Sequence, residues 1–267
     1  SVSLSISVFL CPSLSFSLIK TLALAITMSI TATAQTPKLS KDNIEKVLQA
    51  MTLEEKASLL VGGEYDFWST TAMAGNSSHT VPGAAGSTIA IPRLGIPETI
   101  LTDGPAGVRI NPTRPETNKT FYATGFPVGS CIAATWNTEL AFKVGKAIGS
   151  EVKAYNCDVI LGPGMNIHRN PLCGRNFEYY SEDPLLTGKI ASGYVKGVQN
   201  EGAGVSIKHF AVNSQETNRI FVDEIVSPRA AREIYLRGFE IAVRESHPWT
   251  VMSSYNRING VFAQANH

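Results

Sequence analysis

Acid is missing from the first stretch of this chain, and metal-ligand spacing is missing from all of it. Residues 1–37, "SVSLSISVFLCPSLSFSLIKTLALAITMSITATAQTP", contain no Asp or Glu, and Lys20 is their one charge. The four cysteines form no CxxC pair, and the five histidines fall in no HxH or HxxxH pattern. No metal site is therefore expected. The chain has no basic run and no acidic tail, and its net charge is +1. That gives no electrostatic case for nucleic acid or for an anionic membrane surface. A Gly-rich phosphate loop between a first strand and its helix is also lacking. "GPAGVR" and "GPGMNI" are not followed by clean helices, which argues against a doubly wound nucleotide binder. No cofactor is expected.

What is present begins with a targeting segment. After Lys20 comes the apolar run "TLALAITMSI", and "TATAQ" then offers small residues at Ala32 and Ala34. This pattern predicts export, periplasmic or secreted, with cleavage after Ala34. The alternative is a membrane anchor, since Ser-rich apolar residues lengthen the segment. Residues 1–36 are set aside from fold reasoning, and membrane contact is expected only through them. Cys11 lies there; Cys131, Cys157 and Cys173 remain, an odd number and a poor disulfide framework. Cys157 and Cys173 either pair or stay as buried thiols.

The remaining 231 residues, 37–267, suffice for one large domain, and the 43% apolar content of the chain can fill its core. "SKDNIEKVLQAMTLEEKASLLVGG" reads as one or two helices, with Ser40 as N-cap and Gly62-Gly63 as the stop. Thr52 with Glu55 three residues on reads as a capping box for the second. Residues 64–97 read as a long loop. From residue 99, apolar runs recur: "TILTDGP", "SCIAATW", "CDVILGPGMNI", "GVSIKHF" and "WTVMSSYN". Helical segments separate several of them. "TELAFKVGKAIGSEVKAY" carries a stripe of Leu140, Val144, Ile148 and Val152. In "SPRAAREIYLRGFEIAVRES", Ser227 is the expected N-cap with Pro228 at the first position.

Strand, helix, strand, helix predicts a parallel α/β protein. Polar residues stand at the strand ends: Asp103, Lys208, His209 and Tyr255. Active sites of (β/α)₈ barrels are built there, so a TIM-type barrel is the expected architecture.

Each motif has a bland reading beside the functional one. Asp103 in "TDGPAGVR" is either a turn-forming Asp or a carboxylate for sugar hydroxyls. "GRNFEYYSEDP" offers Arg175 as a forked donor and Phe177, Tyr179 and Tyr180 as stacking rings. Its Glu178 is either a sugar acceptor or a salt-bridge partner, and Asp183-Pro184 opens the next helix. Lys208 and His209 are adjacent, so both reach one ligand only if the strand ends or bulges between them. Met252 alone would be read as core.

Together, "LTDGPAGVR", "GRNFEYYSEDP", "KHFAVNSQETNR" and "VMSSYNRINGV", in this order, resemble the N-terminal catalytic domain of glycoside hydrolase family 3, in its β-glucosidase and β-xylosidase branch. "MTLEEKASLLVG" and "IPRLGIPETILTDGP" also match, so the resemblance runs from about residue 40 to the last residue. It implies a secreted or periplasmic exo-glycosidase acting with retention on a β-linked oligosaccharide or aryl glycoside. Asp103 is similar to the family's aspartate that grips the terminal sugar. Arg109, Arg175, Lys208 and His209 fall on its other subsite positions. Met252 and Tyr255 fall on residues packed beneath that sugar. The family's nucleophile is an aspartate on the next barrel strand, which would follow His267, and its acid/base glutamate comes later still. The resemblance therefore implies an incomplete barrel over residues 37–267, neither catalytic carboxylate, and no efficient hydrolysis by this chain alone. The missing C-terminal part of the same protein is then an expected partner.

Two other functions fit parts of the pattern. Lys208 at a strand end suits a Schiff-base nucleophile, but this leaves the acid-and-aromatic loop unexplained. A non-catalytic sugar-binding protein would use the same pocket without the two carboxylates that retaining hydrolysis requires roughly 5–5.5 Å apart.

Overall fold

The computed structural model describes residues 36–62 and 80–266. Residues 1–35 of the targeting segment, its cleavage site after Ala34 and Cys11 lie outside them, as do Gly63 and residues 64–79 of the long loop. The chain divides into two compact units. The smaller holds residues up to Met51 together with Arg93–Gly95. In it, α1 (Ile44–Ala50) buries Val47, and the Arg93 guanidinium donates to the Ala50 carbonyl at 2.9 Å. Asn43 stands at the N-cap position of α1, not Ser40 as the sequence suggested. The Asn43 side chain instead turns back to accept from the Ser40 N–H, at 2.8 Å.

The larger unit opens with α2 (Leu53–Val61). Its capping box is as expected: Thr52 accepts from the Glu55 N–H, and Glu55 accepts from the Thr52 N–H. Gly62 stops it with φ +90°, a conformation that favours glycine.

A five-stranded sheet follows, in spatial order β1 (Gly86–Ser87), β2 (Ile100–Asp103), β3 (Val159–Leu161), β4 (Gly204–Phe210), β6 (Thr250–Ser253). Only β1 runs antiparallel; β2, β3, β4 and β6 are mutually parallel. Four parallel strands are half the set of an eight-stranded barrel. The strands are reached through helices α3 (Gly129–Ala134), α4 (Thr138–Ala154), α5 (Pro184–Asn200) and α6 (Arg237–Ser246). This is the repeating β/α order that the sequence rhythm predicts. One run breaks it: "SCIAATW" is not a strand but the body of α3. A short apolar run does not distinguish a buried strand from a buried helical turn.

The core lies between strands and helices. Ile100, Ile160, Val205 and Ile207 meet Ile148, Val152, Ile190, Val195, Val198 and Phe239. Of the predicted α4 stripe, Ile148 and Val152 are fully buried and Val144 packs against the core, while Leu140 is exposed. Helices α4 and α5 approach backbone to backbone. A Cβ on Gly197 would sit 2.1 Å from the Phe142 carbonyl oxygen, and one on Gly145 2.3 Å from that of Tyr194. Caps follow the sequence expectations. Asp183 accepts from the Leu185 N–H to start α5, and Ser227 accepts from the Ala230 N–H beside Pro228. The chain then passes through a π-helical stretch, Ala231–Tyr235, before α6.

A second sheet joins β5 (Asp223–Glu224), β7 (Arg257–Ile258) and β8 (Val261–Phe262). Asn259 and Gly260 turn β7 into β8 with φ of +50° and +90°. Two positive φ values suit Asn-Gly and match the twist of a tight hairpin. The turn of this hairpin lies within the "VMSSYNRINGV" motif, for which no hairpin was expected from sequence.

Candidate active site

Parallel strands that end together bring their C-terminal residues together, and this is what gathers the site. Asp103 closes β2, Lys208 and His209 lie near the end of β4, Met252 is in β6 and Tyr255 just follows it. These five and Arg175 line one cavity of about 320 Å³, completed by Ala85, Leu161 and Arg219. The volume lies at the small end of ligand pockets. Lys208 and His209 both reach it because β4 is irregular there. The ladder to β6 pairs Lys208 with Met252 and then Phe210 with Ser253, so the register shifts around His209. The irregularity sets aside strict alternation and lets neighbouring side chains share one cavity.

Asp103 is the anionic pole. Its Oδ1 accepts from Lys208 Nζ at 2.9 Å and from the Gly104 N–H at 2.9 Å. Burial opposes its ionised form. The Lys208 charge and hydrogen bond, the Gly104 N–H and Arg109 outweigh that and hold the carboxyl below the usual aspartate range. Arg109 is not in the cavity wall; its half-exposed guanidinium sits 3.7 Å from Asp103 Oδ2 and acts on the site through that carboxylate.

Arg175 is held by two acids. Its Nε donates to Glu178 Oε1, and its Nη1 lies 3.9 Å from Glu216 Oε1. Burial opposes the Arg175 charge, but Tyr179, Glu178 and Glu216 together reinforce it. Glu178 is therefore the salt-bridge partner of the two readings. The rings of its motif take other roles than stacking in the cavity. Tyr180 belongs to the core, Phe177 is exposed, and Tyr179 is fully buried behind His209. His209 is 3% exposed, and burial, then the cations Arg175, Lys208 and Arg219, push its imidazolium pKa down to about 2. The ring is neutral at ordinary pH.

Arg219 was not singled out from sequence. It donates to Glu216 Oε2 at 3.1 Å and lies 5.2 Å from the centre of the Tyr255 ring. Its one sequence signal is its place in "KHFAVNSQETNR", where Glu216 and Arg219 stand three apart. Asn166, Asn213 and Glu216 were also missed; none lines the cavity, and Asn166 contacts both the backbone and the ring of His209. Among the described residues that line the cavity, Asp103 carries the one carboxylate. Cys131, Cys157 and Cys173 are free thiols, and no cluster of metal-ligating side chains occurs among the described residues.

The sequence profile of the Glycosyl hydrolase family 3 N terminal domain matches residues 90–267. The chain belongs to this family. Its relatives include the thermostable beta-glucosidase B of Acetivibrio thermocellus, 45% identical over 227 residues, which are 84% of this chain and 27% of that protein. The exo-alpha-(1->6)-L-arabinopyranosidase of Bifidobacterium longum is 47% identical over 221 residues, 81% of this chain and 27% of its own length. Among solved structures, beta-glucosidase 3B from Thermotoga neapolitana in complex with glucose superposes with a TM-score of 0.76 at 56% identity, covering 83% of this chain and 30% of the other. The chain thus spans little more than a quarter of the length of these curated relatives.

Proposed function

We propose that this chain forms the sugar-binding part of an exo-acting, retaining glycosidase of the β-glucosidase kind, and that it works within a longer polypeptide. The observation that carries this is the convergence of Asp103, Arg175, Lys208, His209, Met252 and Tyr255 on one cavity at the C-terminal ends of parallel strands. Asp103 accepts hydrogen bonds from hydroxyls of a terminal sugar, while Lys208 and the arginines donate to its oxygens. Tyr255 and Met252 supply the apolar floor. The names of the relatives, most of them beta-glucosidases, support a β-glycoside substrate. The arabinopyranosidase among them leaves the sugar itself open.

Retaining hydrolysis needs a second carboxyl group roughly 5–5.5 Å from the first. With Asp103 held by Lys208, the described residues of the cavity wall offer no such pair. This favours binding without cleavage by the described residues alone, with the nucleophile and the rest of the barrel supplied by a longer polypeptide. The partner is then the remainder of the same protein. An apolar cleft of about 480 Å³ between β4, β6 and α6, walled by Ile207, Phe210, Phe239 and Val251, supports further packing at that side of the sheet. We also infer export, from the apolar, acid-free residues 1–34.

The test is calorimetric titration of the chain with glucose and with xylose, alongside an aryl β-glucoside assay. Saturable binding that D103A abolishes, with no turnover, is the expected result. Absence of binding by a folded chain refutes the pocket assignment. Turnover by the chain refutes the assignment of the nucleophile to later sequence.

A further inference from the structure

Behind the cavity runs a line of buried polar groups whose donors and acceptors can be assigned in order. It begins at Glu216, whose carboxylate can only accept. Asn213 Nδ2 lies 2.9 Å from Glu216 Oε1 and 3.0 Å from the Tyr179 hydroxyl oxygen. An amide oxygen facing a carboxylate would be repelled, so the Asn213 amide group is the donor to both. The Tyr179 oxygen therefore accepts from Asn213, and its own proton must go elsewhere. Its other partner is His209 Nδ1, at 3.2 Å. Tyr179 is fully buried, so water gives no substitute, and burial also pushes its phenol pKa up, keeping the proton in place.

Asn166 is the competing partner. Its side chain is fixed by two backbone contacts: Nδ2 donates to the His209 carbonyl at 2.9 Å, and Oδ1 accepts from the His209 N–H at 2.8 Å. That oxygen also lies 3.3 Å from His209 Nδ1. A proton on Nδ1 would reach it, but would leave the buried Tyr179 hydroxyl proton without an acceptor. A bare Nδ1 satisfies Tyr179 and leaves Asn166 Oδ1 its backbone bond. The other ring nitrogen, Nε2, has no hydrogen-bond partner among the described residues, and His209 lines the cavity.

We propose that Tyr179, oriented by Asn213 and Glu216, holds the neutral His209 ring with its proton on Nε2, so that the ring presents a hydrogen-bond donor to the cavity. Tyr179, Asn213 and Glu216 are then positioning residues. The neutral donor at His209 joins the cationic donors Lys208, Arg175 and Arg219, against the acceptor Asp103. A ligand matched to this wall offers lone pairs toward β4 and a hydroxyl proton toward β2. That consequence rests on the glycoside reading above; the tautomer itself does not.

The experiment is a long-range ¹H–¹⁵N correlation spectrum of the full chain labelled at histidine nitrogens, recorded without sugar. H209Q identifies the signals of His209. The wild-type ring is expected to carry its proton on Nε2. In Y179F the hydroxyl is lost, and the proton is expected to shift toward Nδ1, facing Asn166 Oδ1. In N213D an acceptor replaces the amide donor, so the Tyr179 hydroxyl turns to it and His209 Nδ1 becomes the donor to Tyr179. The reversal holds whether the introduced carboxyl group is ionised or shares a proton with Glu216. A wild-type ring protonated on Nδ1 overturns the proposal. So does an unchanged Nε2 proton in whichever of the two variants remains folded. Because no sugar is present, a negative glucose titration leaves this outcome standing on its own.

Discussion

The neutral, buried state of His209 makes stability depend on acid in a calculable way. The folded ring takes a proton only near pH 2, because burial and the cations Arg175, Lys208 and Arg219 oppose its charge. The unfolded ring takes one near its ordinary pKa of about 6.5. Between these values the unfolded chain binds one more proton than the folded chain, so stability falls as pH drops below about 6.5. The slope is about 1.4 kcal/mol per pH unit. From pH 7.5 to pH 4.5 the integrated loss from this residue is about 3 kcal/mol. The assay is urea unfolding of wild type and of H209Q at half-unit intervals across that range. Glutamine cannot titrate, so the difference between the two curves isolates His209 from the carboxylates. The wild type should lose about 3 kcal/mol more than H209Q on going to pH 4.5. Parallel curves would show that the folded ring accepts a proton readily, and would refute the account of His209 as a buried ring beside the cations Arg175, Lys208 and Arg219.

K208M tests the pole at Asp103. Removing one partner of a buried pair costs about 3–5 kcal/mol, and the partial exposure of Asp103 lowers this to roughly 2–3 kcal/mol. With Lys208 present, the depressed Asp103 carboxyl contributes stability that is full above about pH 4 and lost as pH falls through its folded value. K208M should weaken that acid-side loss in a pH series of unfolding curves. G197A should lower stability by ~2–3 kcal/mol in thermal unfolding, since its Cβ would meet the Phe142 carbonyl at 2.1 Å. G174A, with open space around it, should change stability by less than about 0.5 kcal/mol. In a chain with Cys11 replaced by Ser, maleimide at pH 7 should label Cys131 rapidly. Cys157 and Cys173 should lag, because burial removes access and raises both thiols, Cys157 to about 11.

Residue order alone carried the β/α rhythm, the capping box at Thr52, the caps at Asp183 and Ser227, and six cavity residues. Caps and strand ends are local: they depend on side chains within a few residues and on hydrophobic period, both visible in one dimension. The reading failed where locality fails. "SCIAATW" packs as a helix because its surroundings, not its composition, decide between two structures of equal apolarity. Tyr179 and Tyr180 looked like stacking rings, and burial turned one into a support for His209 and the other into core. The sharing of one cavity by Lys208 and His209 needed a register shift against β6, about forty residues away in sequence. Arg219 enters the wall only because Glu216 and Tyr255 hold it there. The sequence by itself determined which chemical groups stand at the strand ends. Tertiary structure decided which of them face one cavity and in what ionisation state, because burial, opposing charges and hydrogen-bond direction arise only when distant segments meet.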